Sequence, residues 1–512
     1  MALTAAFALT GGAVASGRAA HEDNMGAFAA LDHGLRPATL KAGVPLPGWS
    51  LQERMIHYHV PGVAIAVLKD GKVVQAAGFG VRAAGTQDAV DADTLFSVGS
   101  VSKVVTAATT LREVAAGQLD LDRDVNAYLT SWKVPKAPAF GGDTITLRML
   151  MSHTSGLTVW GFEDYLPGEK LPDIVQTLDG IAPARNEPVR IDFQPGTRMR
   201  YSGGGITVEQ LVLQETSGKS LESLARAQVF QPLGMRRSTY VNPLPVSLDN
   251  VAKAHDKDGQ RVALPRGYEA FPEQAASGLW TSANDLGAFV GALIRSYQGK
   301  DDYLPRILAT QMMTEVSPSL HGLGPRLEGS GQTRIFHHGG ANDSYRAWIE
   351  GHLETGSGLV ILTNGSNGGK LMMEIRNALS DALDDGVNPL VHTIDLDLAT
   401  PVYADYAGTY RVDTALPSEV RGNLIGYFDS DVLDVAIAEG AITVTEKAAP
   451  TTLVLQPLAP TRFIGPGDLT QLQFEFHRDA HGVVSGLTVE RGSARVFYRR
   501  QDATANQASG GH

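Results

Sequence analysis

Ser100 and Lys103 stand three residues apart at the front of FSVGSVSKVVTAATTLREVAAGQLDLD, the stretch from Phe96 to Asp122. On a helix that spacing puts both side chains on one face, one turn apart. A serine hydroxyl is a poor nucleophile until a neighbouring base takes its proton, and a lysine at this distance is one known partner. The chain has thirteen lysines, and only Lys103 has a serine three positions before it. Random placement gives such a pair about once in a chain of ordinary composition. The spacing alone therefore leaves a second reading open, a serine capping a helix with a solvated lysine behind it.

Other nucleophile chemistries are absent. There is no cysteine, which removes thiol catalysis and Cys-ligated zinc. No serine sits in a G-x-S-x-G elbow, and no H-E-x-x-H zinc helix occurs. What remains is a Ser-Lys solution, in which a tyrosine shares the proton. PGTRMRYSGGGITVEQLVLQETSG supplies Tyr201 on a turn directly before an apolar-periodic helix, and RIFHHGGANDSYRAW supplies a strand ending in His338, Gly339 and Gly340.

Positioning these groups needs a scaffold. Val104, Val105, Ala108, Leu111 and Val114 recur at helical spacing behind Ser100, with Gly117 as a stop. VPGVAIAVLKDGKVVQAAGFG reads as two strands joined at Asp70-Gly71, a type I′ hairpin signal. A Gly/Pro/aromatic-rich excursion runs from Thr158 to Thr197. Strand signals return at TRIFHHGG and SGLVILTN, followed by a helix in GGKLMMEIRNALSDALDD. From Tyr406 to Arg500, short alternating runs such as AITVTE, TTLVLQPL, LQFEFHRD and SGLTVERG are separated by turn residues, the pattern of a small all-β barrel or sandwich.

Over about residues 45 to 390 the chain resembles the serine β-lactamase and penicillin-binding-protein-like family, in its branch of class C-type lactamases, esterases and D-amino-acid-specific peptidases. The resemblance rests on ordered blocks: HVPGVAIAV, FSVGSVSK, ITLRMLMSHTSGL, PGTRMRYSGGG, VFQPLGM, SGLWTSANDLGAF and HGGAN. It implies an α/β (α+β) fold with an antiparallel sheet flanked by helices, and for the tail a lipocalin-like C-terminal barrel whose role is structural cover or control of access. It implies Ser100 as the acylated nucleophile, Lys103 as its proton partner and Tyr201 as general base. The amides of Ser100 and Ala341 become the oxyanion hole, Gly339 and Gly340 let a substrate backbone lie along the strand, and His338 is placed to bind a carboxylate or an acyl oxygen. Trp160 and Tyr165 fall in the loop that lines the family's cleft.

Two departures matter. The second motif of the family reads Tyr-x-Asn, and here it is Tyr201-Ser202-Gly203; His338 stands where lactamases carry lysine. Both point to a peptidase or esterase rather than a lactamase. The expected activity is hydrolysis of amide bonds in short, D-residue-containing or linearised cyclic peptides. A carboxylesterase and a β-lactam-binding scaffold with little turnover are the alternatives. His153 reads as a structural hydrogen-bonder, Asp285 as part of a helix-start turn, and the pair His57 and His59 as no metal site. No cofactor and no metal is expected.

The net charge of −12 without a Lys/Arg-rich run gives no footprint for nucleic acid or anionic membrane, so the expected partner is a small peptide or ester. The start, MALTAAFALTGGAVASGRAAHED, carries an apolar run and then small residues, as a cleaved export signal does, without Lys or Arg ahead of the run. The expected division is an export signal over 1–20, a hydrolase domain over 21–390, a linker over 391–402, a β-barrel over 403–500 and a disordered tail over 501–512, in a periplasmic or secreted protein. No other run reaches the ~18 apolar residues that a membrane span needs, so no stable membrane insertion is expected. The sequence carries no signal for oligomeric state.

Overall fold

The computed structural model describes residues 26–140, 144–166, 168–264, 272–413, 431–438, 440–446, 452–465, 472–491 and 494–501. The expected export signal, and residues 502–512 of the expected tail, lie outside them.

Gly62–Lys69 (β1) turns back at Asp70-Gly71 into Lys72–Gly80 (β2), with both turn residues at positive φ, 51° and 66°, as a type I′ hairpin requires. Four later strands, Arg326–Glu328 (β3), Ile335–Ala341 (β4), Arg346–His352 (β5) and Gly358–Thr363 (β6), complete an antiparallel sheet in the order β2-β1-β6-β5-β4-β3. Five helices line the site or cover the sheet: Ser102–Ala115 (α1), Gly203–Ser217 (α2), Gln274–Ser277 (α3), Ala283–Gln298 (α4) and Gly368–Leu383 (α5).

Side chains of a strand alternate between faces, and both faces of β1 are covered. Val63, Ile65 and Val67 pack with Leu371, Ile375 and Leu379 of α5, while Ala64, Ala66 and Leu68 join a larger core with α1 and α4. Burial on two sides is why GVAIAVLK reads as a continuous apolar run instead of an alternating one. At about 1.5–3 kcal/mol for each large aliphatic side chain removed from water, this sheet is a rigid platform for the strand that carries His338.

The helix begins two residues past Ser100, which stands on the turn ahead of it and not on its first turn. Gly99–Val101 form a 3-10 turn, α1 follows, and Gly117 at φ 70° lies just past its end.

The C-terminal part is a closed eight-stranded antiparallel barrel: Gly408–Val412 (β7), Val432–Ala438 (β8), Ala441–Glu446 (β9), Thr452–Ala459 (β10), Arg462–Ile464 (β11), Gln473–Arg478 (β12), Val484–Arg491 (β13) and Ala494–Arg500 (β14). Pairing of β7 with β14 closes it and leaves no free sheet edge. Tyr410, Phe463, Phe474, Phe476 and Tyr498 fill the interior with Leu433, Val435, Val444 and Leu487, so this barrel has a packed core. The stretch expected as a linker, 391–402, carries structure of its own. Val391–Thr393 pairs in parallel with Thr39–Lys41, the Ile394 amide donates to the Pro457 carbonyl at 2.9 Å, and Leu398 is buried in the barrel core.

Candidate active site

Lys103 is 3% exposed. Its Nζ donates to Ser100 Oγ at 3.0 Å and to the Ala276 carbonyl at 2.8 Å, and lies 4.9 Å from the centroid of the Tyr201 ring. The fold thus brings Tyr201 to the Ser-Lys pair from about a hundred residues away. The contact is through the ring face, and among the described residues the Tyr201 hydroxyl makes no hydrogen bond. Catalytic hydrogen bonds are commonly long or unformed without substrate.

Tyr201 is held by what precedes α2. Ser202 is the N-cap: its Oγ accepts the Gly205 amide at 2.8 Å and donates to the Thr158 carbonyl at 2.8 Å. The Gly203 and Gly204 amides donate to the carbonyls of Trp160 and Val159 at 3.2 and 3.0 Å. These bonds tie the cleft loop to the helix start and set Trp160, 75% exposed, 5.9 Å from Tyr201 between ring centroids. Tyr165 is instead buried, with its hydroxyl donated to Pro183 O at 3.0 Å. The missing asparagine has a steric account. A Cβ at Gly203 would meet Phe162 Cε2 and Trp160 O, both at 3.1 Å, so the loop occupies the room a longer side chain would use.

The serine turn and β4 touch backbone to backbone. A Cβ at Gly340 would lie 1.9 Å from Val98 O, and one at Gly99 (φ +47°) would lie 2.8 Å from Ala341 N. Only glycine at both positions permits this approach, which puts the Ala341 amide beside the turn that carries Ser100. Gly339 faces Trp348 more loosely, with 3.5 Å to a Cβ built there.

Three histidines surround Tyr201: His153 at 4.2 Å, His321 at 6.2 Å and His338 at 6.3 Å between ring centroids. Burial, reinforced by the charge of Lys103, pushes His338 down to about 3 and holds His153 well below the usual imidazole range. Burial does the same to His321, with His153 as its next opposing neighbour. All three are neutral at physiological pH. His338 Nδ1 donates to the Gly339 carbonyl at 2.6 Å, which fixes the tautomer and leaves Nε2, buried and without a partner among the described residues, as a lone-pair acceptor. A neutral acceptor does not suit a carboxylate, which was one of the roles expected for this residue. His153 Nδ1 accepts the Ser202 amide at 3.2 Å, so it helps hold the Tyr201 turn. Asp285 lies in the first turn of α4 and accepts from Arg237 N and Ser238 Oγ, both at 2.8 Å. His59 ends a short helix over Leu51–Tyr58 at positive φ.

Two participants were missed from sequence. His321, in SLHGL, sits in a loop with no periodic or motif signal. The Ala276 carbonyl is a main-chain acceptor, which no side-chain pattern reveals, although SGLWTSANDLGAF begins one residue after it.

A mixed α and antiparallel-β scaffold with a Ser-x-x-Lys turn under a tyrosine defines the class. The Beta-lactamase family model matches residues 50–383, and the chain belongs to that family. Among relatives, a D-aminopeptidase of Brucella anthropi is 28% identical over 295 residues, 57% of this chain and 53% of that protein. Esterase EstB of Burkholderia gladioli is 30% identical over 274 residues, 50% of this chain and 66% of its own length. The chain thus spans about half the length of the D-aminopeptidase it matches. Among solved structures, SurE with D-Leu aligns at a TM-score of 0.53 and 22% identity over 88% of this chain and 97% of that one. The octameric penicillin-binding protein homologue from Pyrococcus abyssi aligns at 0.53 and 20% over 87% and 98%, and both likenesses concern the fold.

Proposed function

We propose that the protein is a serine hydrolase that cleaves amide bonds of short peptides, D-residue-containing or linearised cyclic ones first, through an acyl-enzyme on Ser100. The observation that carries this reading is the 3.0 Å hydrogen bond from Lys103 Nζ to Ser100 Oγ beneath the Tyr201 ring. Ser100 Oγ attacks the substrate carbonyl as its proton passes to the phenolate oxygen of Tyr201, the general base, with the Lys103 ammonium as the proton partner that balances the phenolate charge. The Ser100 and Ala341 amides stabilise the oxyanion. The proton then goes to the leaving nitrogen, the C–N bond breaks, and the amine departs from an ester on Oγ. Water, deprotonated by the same base, hydrolyses that ester and returns Ser100. His338 Nε2 accepts a substrate N–H, and the exposed face of Trp160 takes an apolar side chain.

A carboxylesterase with the same machinery is the second reading. Gly203 favours it, because no amide side chain is there to hold a peptide bond, and so does the relationship to an esterase. Matched ester, L-peptide, D-peptide and β-lactam substrates separate the readings. The highest kcat/KM on D-peptides supports the first, and on esters the second.

A further inference from the structure

Lys103 is a buried cation without an ion-pair partner among the described residues; its contacts there are a hydroxyl, a carbonyl and a ring face. A charge removed from water needs a counter-charge. Glu273 is placed to supply one. It directly precedes α3, and the Ala276 carbonyl that receives the lysine is one turn along the same helix, where the Ala276 and Ser277 amides donate back to the Glu273 carbonyl at 3.1 and 2.9 Å. Glu273 is 2% exposed, and its Oε2 has no hydrogen-bond partner among the described residues.

We propose that Glu273 is a positioning residue that acts through Lys103: its carboxylate supplies the counter-charge that keeps the lysine on Ser100 Oγ, and protonation withdraws it. This rests on Ser100 being the nucleophile. The elements packed on α3 are α1, α2 and the serine turn. They fix it by Thr106 Oγ1 donating to Ala275 O at 3.0 Å and the Ala275 amide donating to Gln210 Oε1 at 2.9 Å. α1 carries Lys103, Arg112 and Glu113, and α2 carries Glu209 and Glu215. Arg112 donates to the Tyr303 carbonyl, Glu113 accepts from Gln228 and Glu215 from the Ser131 amide, which leaves Lys103 and Glu209, with Tyr201 ahead of α2. Across the cleft loop, Tyr165 feels the Glu273 charge. Glu209 is pushed up to about 8 by burial and is neutral at pH 7, which leaves Lys103 as the charge opposing the desolvation of Glu273. Burial pushes Glu273 up to about 7, so its ionisation falls in the neutral range.

The test is the second-order rate of Ser100 phosphonylation by a fluorophosphonate probe against pH, in wild type, Glu273→Gln and Glu273→Asp, with the adduct located by peptide mass. The wild type is expected to lose rate on the acid side of about pH 7, and Glu273→Gln to lack that limb. The two should match near about pH 5.5 and differ by about tenfold near about pH 8.5. Glu273→Asp should retain a limb and restore part of the rate. A Glu273→Gln profile of wild-type shape, unchanged or scaled equally at every pH, overturns the proposal. If Glu273→Gln does not fold by circular dichroism, Glu273→Asp decides alone: a displaced limb supports the proposal and an unmoved one overturns it. Failure of wild type to label at Ser100 is a different result, and it overturns the Ser100 reading itself.

Discussion

At the scale of single residues, the site is a positive lysine among neutral imidazoles. With Nδ1–H committed to the Gly339 carbonyl, His338 has nothing to donate to a substrate carboxylate. His338→Ala should therefore lower kcat/KM equally for a peptide with a free C-terminus and for its amide. One hydrogen bond of about 0.5–1.5 kcal/mol corresponds to roughly 2- to 10-fold. A KM increase confined to the free acid contradicts the acceptor role. Ser100, Lys103 and Tyr201 were legible in sequence because each is a reactive side chain at a fixed offset from a glycine, a turn or a helix start. His321 and Glu273 were not. Their environment is set by elements far apart in the chain, and burial changes what they do without changing how they are spelled.

At the scale of elements, α1 and α2 meet through an acid that is neutral in the fold. Glu209 is fully buried, Thr110 Oγ1 donates to its Oε1 at 2.6 Å, and its other oxygen has no partner among the described residues. Its folded-state pKa, about 8, lies above that of an unfolded glutamate, about 4.3, so its contribution to stability is greatest below the lower value and declines as pH rises to the higher one. Glu209→Gln should thus have a higher Tm than wild type at pH 7, with the difference vanishing near about pH 4. A lower Tm at pH 7 contradicts a neutral Glu209. The hairpin, the α1 periodicity and the β4 and β6 strands were readable because apolar pattern and turn chemistry agree there. The backbone contact of Gly99 and Gly340 was not, since it joins two segments some 240 residues apart by the absence of side chains.

At the scale of the whole molecule, the barrel closes onto the open edge of the central sheet. Arg491 of β13 pairs with Glu328 of β3, the edge strand, at 10% and 11% side-chain exposure, and Glu328 also meets His337 Nε2 at 3.3 Å. Against the cost of burial, His337 and Arg491 hold Glu328 well below the usual carboxylate range; burial lowers His337 itself, so Arg491 is the lasting cation of the group. Its contribution is present above the unfolded glutamate pKa and is lost as pH falls toward the folded one. Arg491→Met should cost about 3–5 kcal/mol because it leaves a buried carboxylate without its main cation, and Arg491→Met/Glu328→Gln should recover much of that loss. Denaturant unfolding checks both, and a single variant as stable as wild type removes this pair as the barrel's anchor. The alternating strands made the barrel legible, whereas this 163-residue pairing has no local signature. The central claim, hydrolysis through an acyl-enzyme on Ser100, is tested most directly by intact and peptide mass measurement after reaction with a serine-directed acylating probe. Wild type should gain one acyl mass on the peptide carrying Ser100, Tyr201→Phe should gain it about 10² to 10⁴ times more slowly, and Ser100→Ala should gain none. A folded wild-type protein that stays unlabelled, or a Ser100→Ala protein that still turns over substrate, would contradict it.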